Sequence, residues 1–260
     1  MKAKWTLALM CAVTLTFVSC GQREEPNPPT PPDTQYVQPI LTTDHSLADW
    51  DSLDASKVTI YTCPADAAYK GLKSAKIYAD KFFIFAVIEP NLDVVTDRSS
   101  APFHVYLNTD NSDKTGGYGG DEDNFSDPNC DILLEGPIFS NGAACTYKPA
   151  VFKWWGAVGD SGWDDWMEPG VEHSSADNWG AIVALGALTG TRSQFVDNKF
   201  FEIQIRRDKI PTDAGWNEDA FGIGFDIQQN WETVGVIPLV SPTEENPVGV
   251  TTKLTIQIDK

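Results

Sequence analysis

The chain reads as an all-β protein, an antiparallel β-sandwich, on three observations. Short apolar runs with a two-residue alternation recur along most of its length. Clusters of Gly, Pro, Asn and Asp separate them, as turns between strands require. No stretch carries the 3.6-residue periodicity of a long amphipathic helix, and no internal repeat is present. Jelly-roll and immunoglobulin-like strand orders both remain open at this level.

The chain opens with Lys2 and Lys4 ahead of an apolar run from Leu7 to Val18, too short to span a bilayer and ending in small residues at Ser19 and Cys20. That is the pattern of a secretory signal peptide over residues 1–19. Phe17-Val18-Ser19-Cys20 resembles the lipobox of bacterial lipoproteins, with Phe17 where Leu is usual. The resemblance implies cleavage before Cys20 and acylation of that cysteine, including a palmitate chain, which anchors the protein in the outer membrane. Glu24 and Glu25 resemble the export tag that sends lipoproteins of some gut bacteria to the cell exterior.

From Gly21 to Pro39 the chain is polar and rich in proline. Such a segment cannot bury a core and is expected to be an extended tether, on the order of 50 Å long at about 3.1 Å per residue. Residues 40–260 then form one domain of roughly 220 residues, enough for a sizeable core.

Within that domain, Asp44 to Trp50 is a short polar opening with Leu47 and Trp50 turned inward. Strands are predicted over Lys57 to Thr62, Lys73 to Asp80 and Phe82 to Glu89, the last two closing as a hairpin through Ala79-Asp80-Lys81. PFHVYLNT, from Pro102 to Thr109, alternates Phe103, Val105 and Leu107 against His104, Tyr106 and Asn108. It is expected to be half-buried, with His104 on the exposed face. Further strands fall at Asp131 to Gly136, within Cys145 to Gly156, and at Gly180 to Gly186, Lys199 to Arg206, Phe221 to Gln229, Val234 to Pro238 and Leu254 to Ile258.

Between two of these strands lies the chain's most distinctive loop, from Asp110 to Asn129. It crowds Asp110, Asn111, Asp113, Asp121, Glu122 and Asp123 among four glycines, with Lys114 its only cation. Oxygen-rich, glycine-rich loops suit calcium, which takes six to eight oxygen ligands. An EF-hand register can be laid on Asn111, Asp113, Thr115, Gly116 and Glu122, but the flanks are strands, so calcium bound by a loop is the expectation. The competing reading is a solvated acidic turn.

Five of the nine tryptophans, Trp154, Trp155, Trp163, Trp166 and Trp179, crowd one region, with Tyr147 and Phe152 just before them. Flat indole faces stack on sugar C–H surfaces, and Asp164 and Asp165 stand ready to accept hydrogen bonds from hydroxyls. The bland alternative is that these rings plug one end of the sandwich.

Three separated pieces resemble the family 9 carbohydrate-binding module and its wider DOMON-like group: Asp44 to Trp50; Tyr106 to Asn111 with Thr115 to Asp123 and Asp131 to Gly136; and Phe200 to Pro211 followed by Phe221 to Gln229. The resemblance implies a sandwich begun by the first piece, a calcium site bordered by the second, and a strand ending in a proline-bearing turn at the third. The Met and His that bind haem in some of that group have no counterpart here.

Charge and motifs narrow the function. A formal net charge of -18, more negative still once Lys2 and Lys4 leave with the leader, repels nucleic acid and polyanionic glycans. Cys63, Cys130 and Cys145 remain after processing, too few for a disulfide scaffold. GDSGW at Gly159 to Trp163 lacks the final glycine of a serine-protease nucleophile turn, and no HExxH, P-loop or nucleophile elbow occurs. Paired carboxylates such as Asp131 with Glu135, or Asp164 with Asp165, could serve a glycosidase, but the sequence gives neither their separation nor a pocket. The expectation is a non-catalytic surface lipoprotein that binds a neutral oligo- or polysaccharide and serves neighbouring glycan-uptake proteins. A structural or adhesion lipoprotein with a protein partner is the alternative, and a glycoside-active enzyme is a third.

Overall fold

A computed structural model describes residues 37–117, 129–154, 156–159, 188, 190–230, 232–239, 244 and 253–260, and the backbone of 166–167. The strands of the described residues all belong to the unit Gln38–Lys260. Of the expected features, Cys20, the tether up to residue 36 and the strand at Gly180 to Gly186 lie outside the described residues.

Among the described residues thirteen strands build two antiparallel sheets. The smaller sheet joins β1 (Thr59–Thr62), β2 (Leu72–Ala79), β3 (Phe83–Pro90), β10 (Phe200–Arg206) and β9 (Arg192–Val196) in that spatial order. In the larger sheet the order is β12 (Glu232–Ile237), β11 (Ala220–Gln229), β4 (Ser100–Asn108), β5 (Ile132–Ser140), β7 (Ala150–Trp154) and β8 (Trp166–Met167). Two short strands hang on its sides, β13 (Leu254–Gln257) on β11 and β6 (Ala143–Ala144) on β5. Their inward faces meet in one core: Ile77, Ile84, Ala86, Phe201 and Ile203 from one sheet, Phe103, Val105, Leu134, Phe225 and Ile227 from the other. The fold is an all-β sandwich.

Turn chemistry sets the registers. At the β2–β3 hairpin the Asp80 carboxylate accepts from the backbone N–H groups of Phe82 and Phe83, each at 2.7 Å. Asn141 and Gly142 both take left-handed backbone between β5 and β6, the arrangement of a type I′ turn. Asp197 and Asn198 do the same between β9 and β10. On β12, Gly235 runs so close to the Gly71–Leu72 backbone that a Cβ would come within 2.5 Å of it.

β4 departs from expectation. It is buried on both faces rather than one, because β11 and β5 flank it and its second face is covered too. There Tyr106, Cys130, Leu133, Phe152 and Val236 form a second apolar cluster, with Tyr69 and Trp154 packed against it. His104, expected at the surface, is completely buried on that face. Strand β5 also runs past Gly136 to Ser140, carrying Pro137 through an irregular register opposite Pro102. Phe152 and Tyr147 are both structural: the Tyr147 hydroxyl donates to the Phe103 and Leu134 carbonyls inside the main core.

Candidate functional site

At the end of β7 the larger sheet opens into a cleft of about 440 Å³. Trp154 and Val158, the segment Thr212 to Ala214, and Thr115, Gly116 and Asp131 line it. Trp154 is half-buried, its indole N–H donating to the Ala157 carbonyl at 3.1 Å, which holds the ring plane in place. Its backbone N–H donates to the Asp131 carbonyl at 2.9 Å, and its ring packs on the second apolar cluster. Val158 is 56% exposed, one of the few large apolar side chains so placed among the described residues.

Loops from distant parts of the chain meet here. The Thr109 and Thr212 hydroxyls lie 2.9 Å apart, and the backbone N–H of Asn217 donates to the Thr109 carbonyl. Gly116 has left-handed backbone, and a Cβ on it would stand 2.5 Å from the Cys130 carbonyl oxygen, so the loop closes here only through glycine. Paired hydrogen bonds between Gly117 and Cys130 and a third from Gly159 to Gly116 complete the base. Lys153, which also lines the cleft, pairs with Asp213 at 2.6 Å.

Of the acidic-loop residues, Asp110 turns toward the loop's interior, where its carboxylate accepts from the Ser112 N–H and the Thr115 hydroxyl. Asp131, buried at the start of β5, accepts from the N–H and hydroxyl of Thr109. Burial raises the Asp131 carboxyl above its ordinary pKa, the hydrogen bonds from Thr109 oppose this, and the charge of Asp110 adds to the rise. Among the described residues these two carboxylates accept from neutral donors, and a hard cation held by them would need further oxygens to fill its six to eight positions. Asn111 adopts left-handed backbone, and Asp113 stands at the surface beside Lys114 at 3.0 Å. Asp121, Glu122 and Asp123 lie outside the described residues. Among the described residues no group of three or more His, Cys, Asp or Glu side chains converges on one metal position.

The tryptophans divide likewise. Trp154 lines the cleft, Trp166 contributes backbone to β8 paired with β7, and Trp155, Trp163, Asp164 and Trp179 lie outside the described residues. The segment Thr212 to Ala214 was not legible as part of the cleft lining, since nothing local in PTDAG marks it. Cys130 and Cys145 are not joined by a disulfide, and the Cys145 thiol donates to the Pro137 carbonyl.

A second polar group lies within the larger sheet. His104 Nδ1 is 2.6 Å from Asp226 and Nε2 is 3.0 Å from Glu135, while the Tyr106 hydroxyl donates to Asp226 at 3.3 Å. Burial alone would lower the imidazole's pKa, but the charge and hydrogen bond of Asp226, then Glu135, outweigh it and push it up to about 10. With both ring nitrogens engaged by carboxylates, this imidazolium is a cross-strand tie and not a proton acceptor.

Fold and site together define a class, a two-sheet antiparallel sandwich with an open cleft, lined by Trp154, at one end of the larger sheet. No protein-family model matches the sequence, and no curated protein matches it.

Proposed function

We propose that this is a non-catalytic, lipid-anchored surface protein that holds a neutral glycan against Trp154. The observation that carries the reading is the cleft itself, which an indole held by a hydrogen bond and an exposed apolar side chain line together with hydroxyl and carboxylate groups. A pyranose ring stacked on Trp154 would bring its hydroxyls toward Thr115, Thr212 and Asp213. Neutrality of the ligand follows from charge. Lys153 is matched by Asp213 and Lys114 by Asp113, so both cations among the described lining residues are paired with carboxylates, and the chain's net charge of -18 repels a polyanion.

Calcium would sit at Asp110 and Asp131 beside the cleft, with further oxygens from the loop containing Asp121, Glu122 and Asp123. Its charge would relieve the repulsion between two neighbouring carboxylates and stiffen Thr115 and Gly116, which border the sugar position. Acylated Cys20 and the proline-rich tether would hold the domain outside the outer membrane, where it would pass glycan to uptake proteins beside it.

A glycan array probed with the purified protein, with and without a chelator, tests the reading. Retention of neutral glycans that Trp154→Ala, Trp163→Ala or Trp166→Ala diminishes supports it. Binding that none of the three changes removes the site.

A further inference from the structure

Asn108, Gly222 and Thr255 stand in one row across β4, β11 and β13, because Gly222 is opposite Asn108 in one ladder and opposite Thr255 in the other. Residues directly opposite one another project from the same side of a sheet, so this row carries side chains at its two ends and none in the middle. Trp154 belongs to the same side and the same end of the sheet. Leu133 stands opposite both Tyr106 and Phe152, and Asn108 and Trp154 each follow one of that pair by two positions, the period that returns a strand to one face. With β5 between β4 and β7, Trp154 and Thr255 are four strand spacings apart, about 19 Å.

The row opens into a second recess, of about 510 Å³. Lys114 lines both this recess and the Trp154 cleft, so the two spaces adjoin within the reach of one side chain. Asn111 and Thr255, also in the lining, are exposed, which leaves an amide and a hydroxyl accessible to a ligand. The Ser112 hydroxyl accepts from the Lys114 N–H at 3.0 Å and keeps its own proton to donate. A Cβ on Gly222 would stand 3.1 Å from Lys253 Cε, so the lysine stem crosses the glycine and adds methylene surface to the recess. The loop between the two spaces is pinned at Ser112, whose carbonyl accepts from the buried Asn108 amide at 2.8 Å and whose N–H donates to the Asp110 carboxylate at 3.0 Å. Asp110 also accepts from the Thr115 hydroxyl, so lining groups of both spaces are held in one fixed relation.

We infer that the second recess is a further sugar subsite, and that the ligand is a chain of several neutral residues lying across the strands from Trp154 past Lys114 to Thr255. The inference rests on the glycan reading above. One ring would stack on Trp154, and a span of this length leaves room for further rings beyond it. Amides and hydroxyls both donate and accept, which suits the hydroxyl groups of those further residues. Lys114 is paired with Asp113, which lines the recess with it, so this pair offers no net charge to an anionic chain.

Calorimetric titration of the full-length protein with cello-, malto-, xylo- and mannooligosaccharides, each from disaccharide to hexasaccharide, tests the assignment. Affinity is expected to rise with chain length beyond the disaccharide, and Trp154→Ala to weaken binding at every length. Thr255→Ala, on an exposed strand position, and Asn111→Gly, which keeps the left-handed backbone free of strain, are each expected to weaken hexasaccharide binding about twofold to tenfold, the loss of one hydrogen bond. Both are expected to leave disaccharide affinity within about twofold of the parent's. Trp154-dependent binding that is equal for disaccharide and hexasaccharide overturns the subsite while the glycan reading stands. So does hexasaccharide affinity that neither Thr255→Ala nor Asn111→Gly changes, or an equal loss at both lengths. Failure of all four series to bind at any length removes the glycan reading and the subsite with it.

Discussion

The Nδ1 atom of His104 lies 2.6 Å from Oδ1 of Asp226, between two central strands of the larger sheet and out of reach of solvent. With Glu135 on the other ring nitrogen, three adjacent strands, β11, β4 and β5, are joined through one imidazolium. The cross-links follow from register, since Asp226 and Glu135 both stand opposite His104 in their ladders. A cation raised from an ordinary pKa of 6.5 to about 10 stabilises the fold fully below 6.5, and the contribution is lost as pH rises through about 10.

His104→Gln is therefore expected to cost about 3 to 5 kcal/mol near neutral pH, because it leaves two carboxylates facing each other without the cation between them. Urea denaturation of both proteins across the alkaline range checks this. The gap between them should narrow as pH approaches 10; a gap independent of pH would show that the imidazole is neutral.

Glu202 behaves in the opposite sense to a normal carboxylate. It is buried on the outer face of the smaller sheet, where the Trp50 indole N–H donates to one of its oxygens at 3.1 Å. Burial raises its pKa from 4.5 to about 7 against the opposing bond from Trp50. The folded protein thus holds this proton more tightly than the unfolded chain, and stability declines as pH climbs from 4.5 through 7. Glu202→Gln keeps an acceptor for Trp50 and removes the charge. It is expected to stabilise the protein by about 1 to 3 kcal/mol near pH 8 and by little at pH 4.5, read from thermal melts at the two pH values.

The parts of this architecture that were legible in the sequence are those where local pattern and tertiary environment agree. Phe103, Val105 and Leu107 alternate because one face of β4 meets the main core, and Asn141-Gly142 marks its turn because only those residue types sit easily at two successive positive φ values. β9 was missed: Arg192-Ser193-Gln194-Phe195-Val196 is an edge strand, largely polar, and its one signal was the Asp197-Asn198 turn after it. The burial of His104 was missed because alternation separates the faces of a strand without saying whether the second one is covered. Asp226, a carboxylate inside the apolar run of β11, was the available clue. Trp154, which lines the cleft, stood out in the sequence by its aromatic neighbours, whereas Thr212 and Asp213 reach the cleft only through the folded chain.

Gly116 and Gly142 separate backbone strain from collision. Both have positive φ, but a Cβ at Gly142 meets nothing within 4 Å, while at Gly116 it strikes the Cys130 backbone at 2.5 Å. Gly142→Ala is expected to cost about 1 kcal/mol. Gly116→Ala is expected to cost more, about 2 kcal/mol or above, since the β5 entry or the loop must move. Denaturation midpoints rank the two, and equal losses would mean that the loop yields freely at its base.

Glycan affinity should depend unequally on the residues that line the cleft. Trp154→Ala removes the stacking face and is expected to weaken binding about tenfold or more, as the loss of a central aromatic does. Asp213→Asn keeps a hydrogen-bonding side chain but breaks the ion pair with Lys153, whose Nζ is 2.6 Å away and largely covered. That change is expected to cost only about twofold to fivefold for neutral glycans, while admitting anionic ones that the matched pair turns away. Titration calorimetry with a neutral oligosaccharide and its uronate counterpart distinguishes these effects.

Calcium, if it sits between Asp110 and Asp131, must act on stability and binding together. A ligand that binds only the folded state stabilises it by about 2.7 kcal/mol at a hundredfold excess over its dissociation constant, so calcium is expected to raise the melting temperature and a chelator to lower it. Asp131→Asn should abolish the calcium response. It should also relieve the repulsion that Asp110 exerts on this buried position, so in chelator the variant is expected to be no less stable than the parent. Asp113→Asn, at a surface position paired with Lys114, should change neither quantity by more than about 0.5 kcal/mol. Because Thr115 lines the cleft and its hydroxyl donates to Asp110, the calcium-dependent share of glycan affinity should vanish with Asp131→Asn and persist with Asp113→Asn. A melting temperature unmoved by calcium in the parent protein would leave the two carboxylates as a structural pair alone.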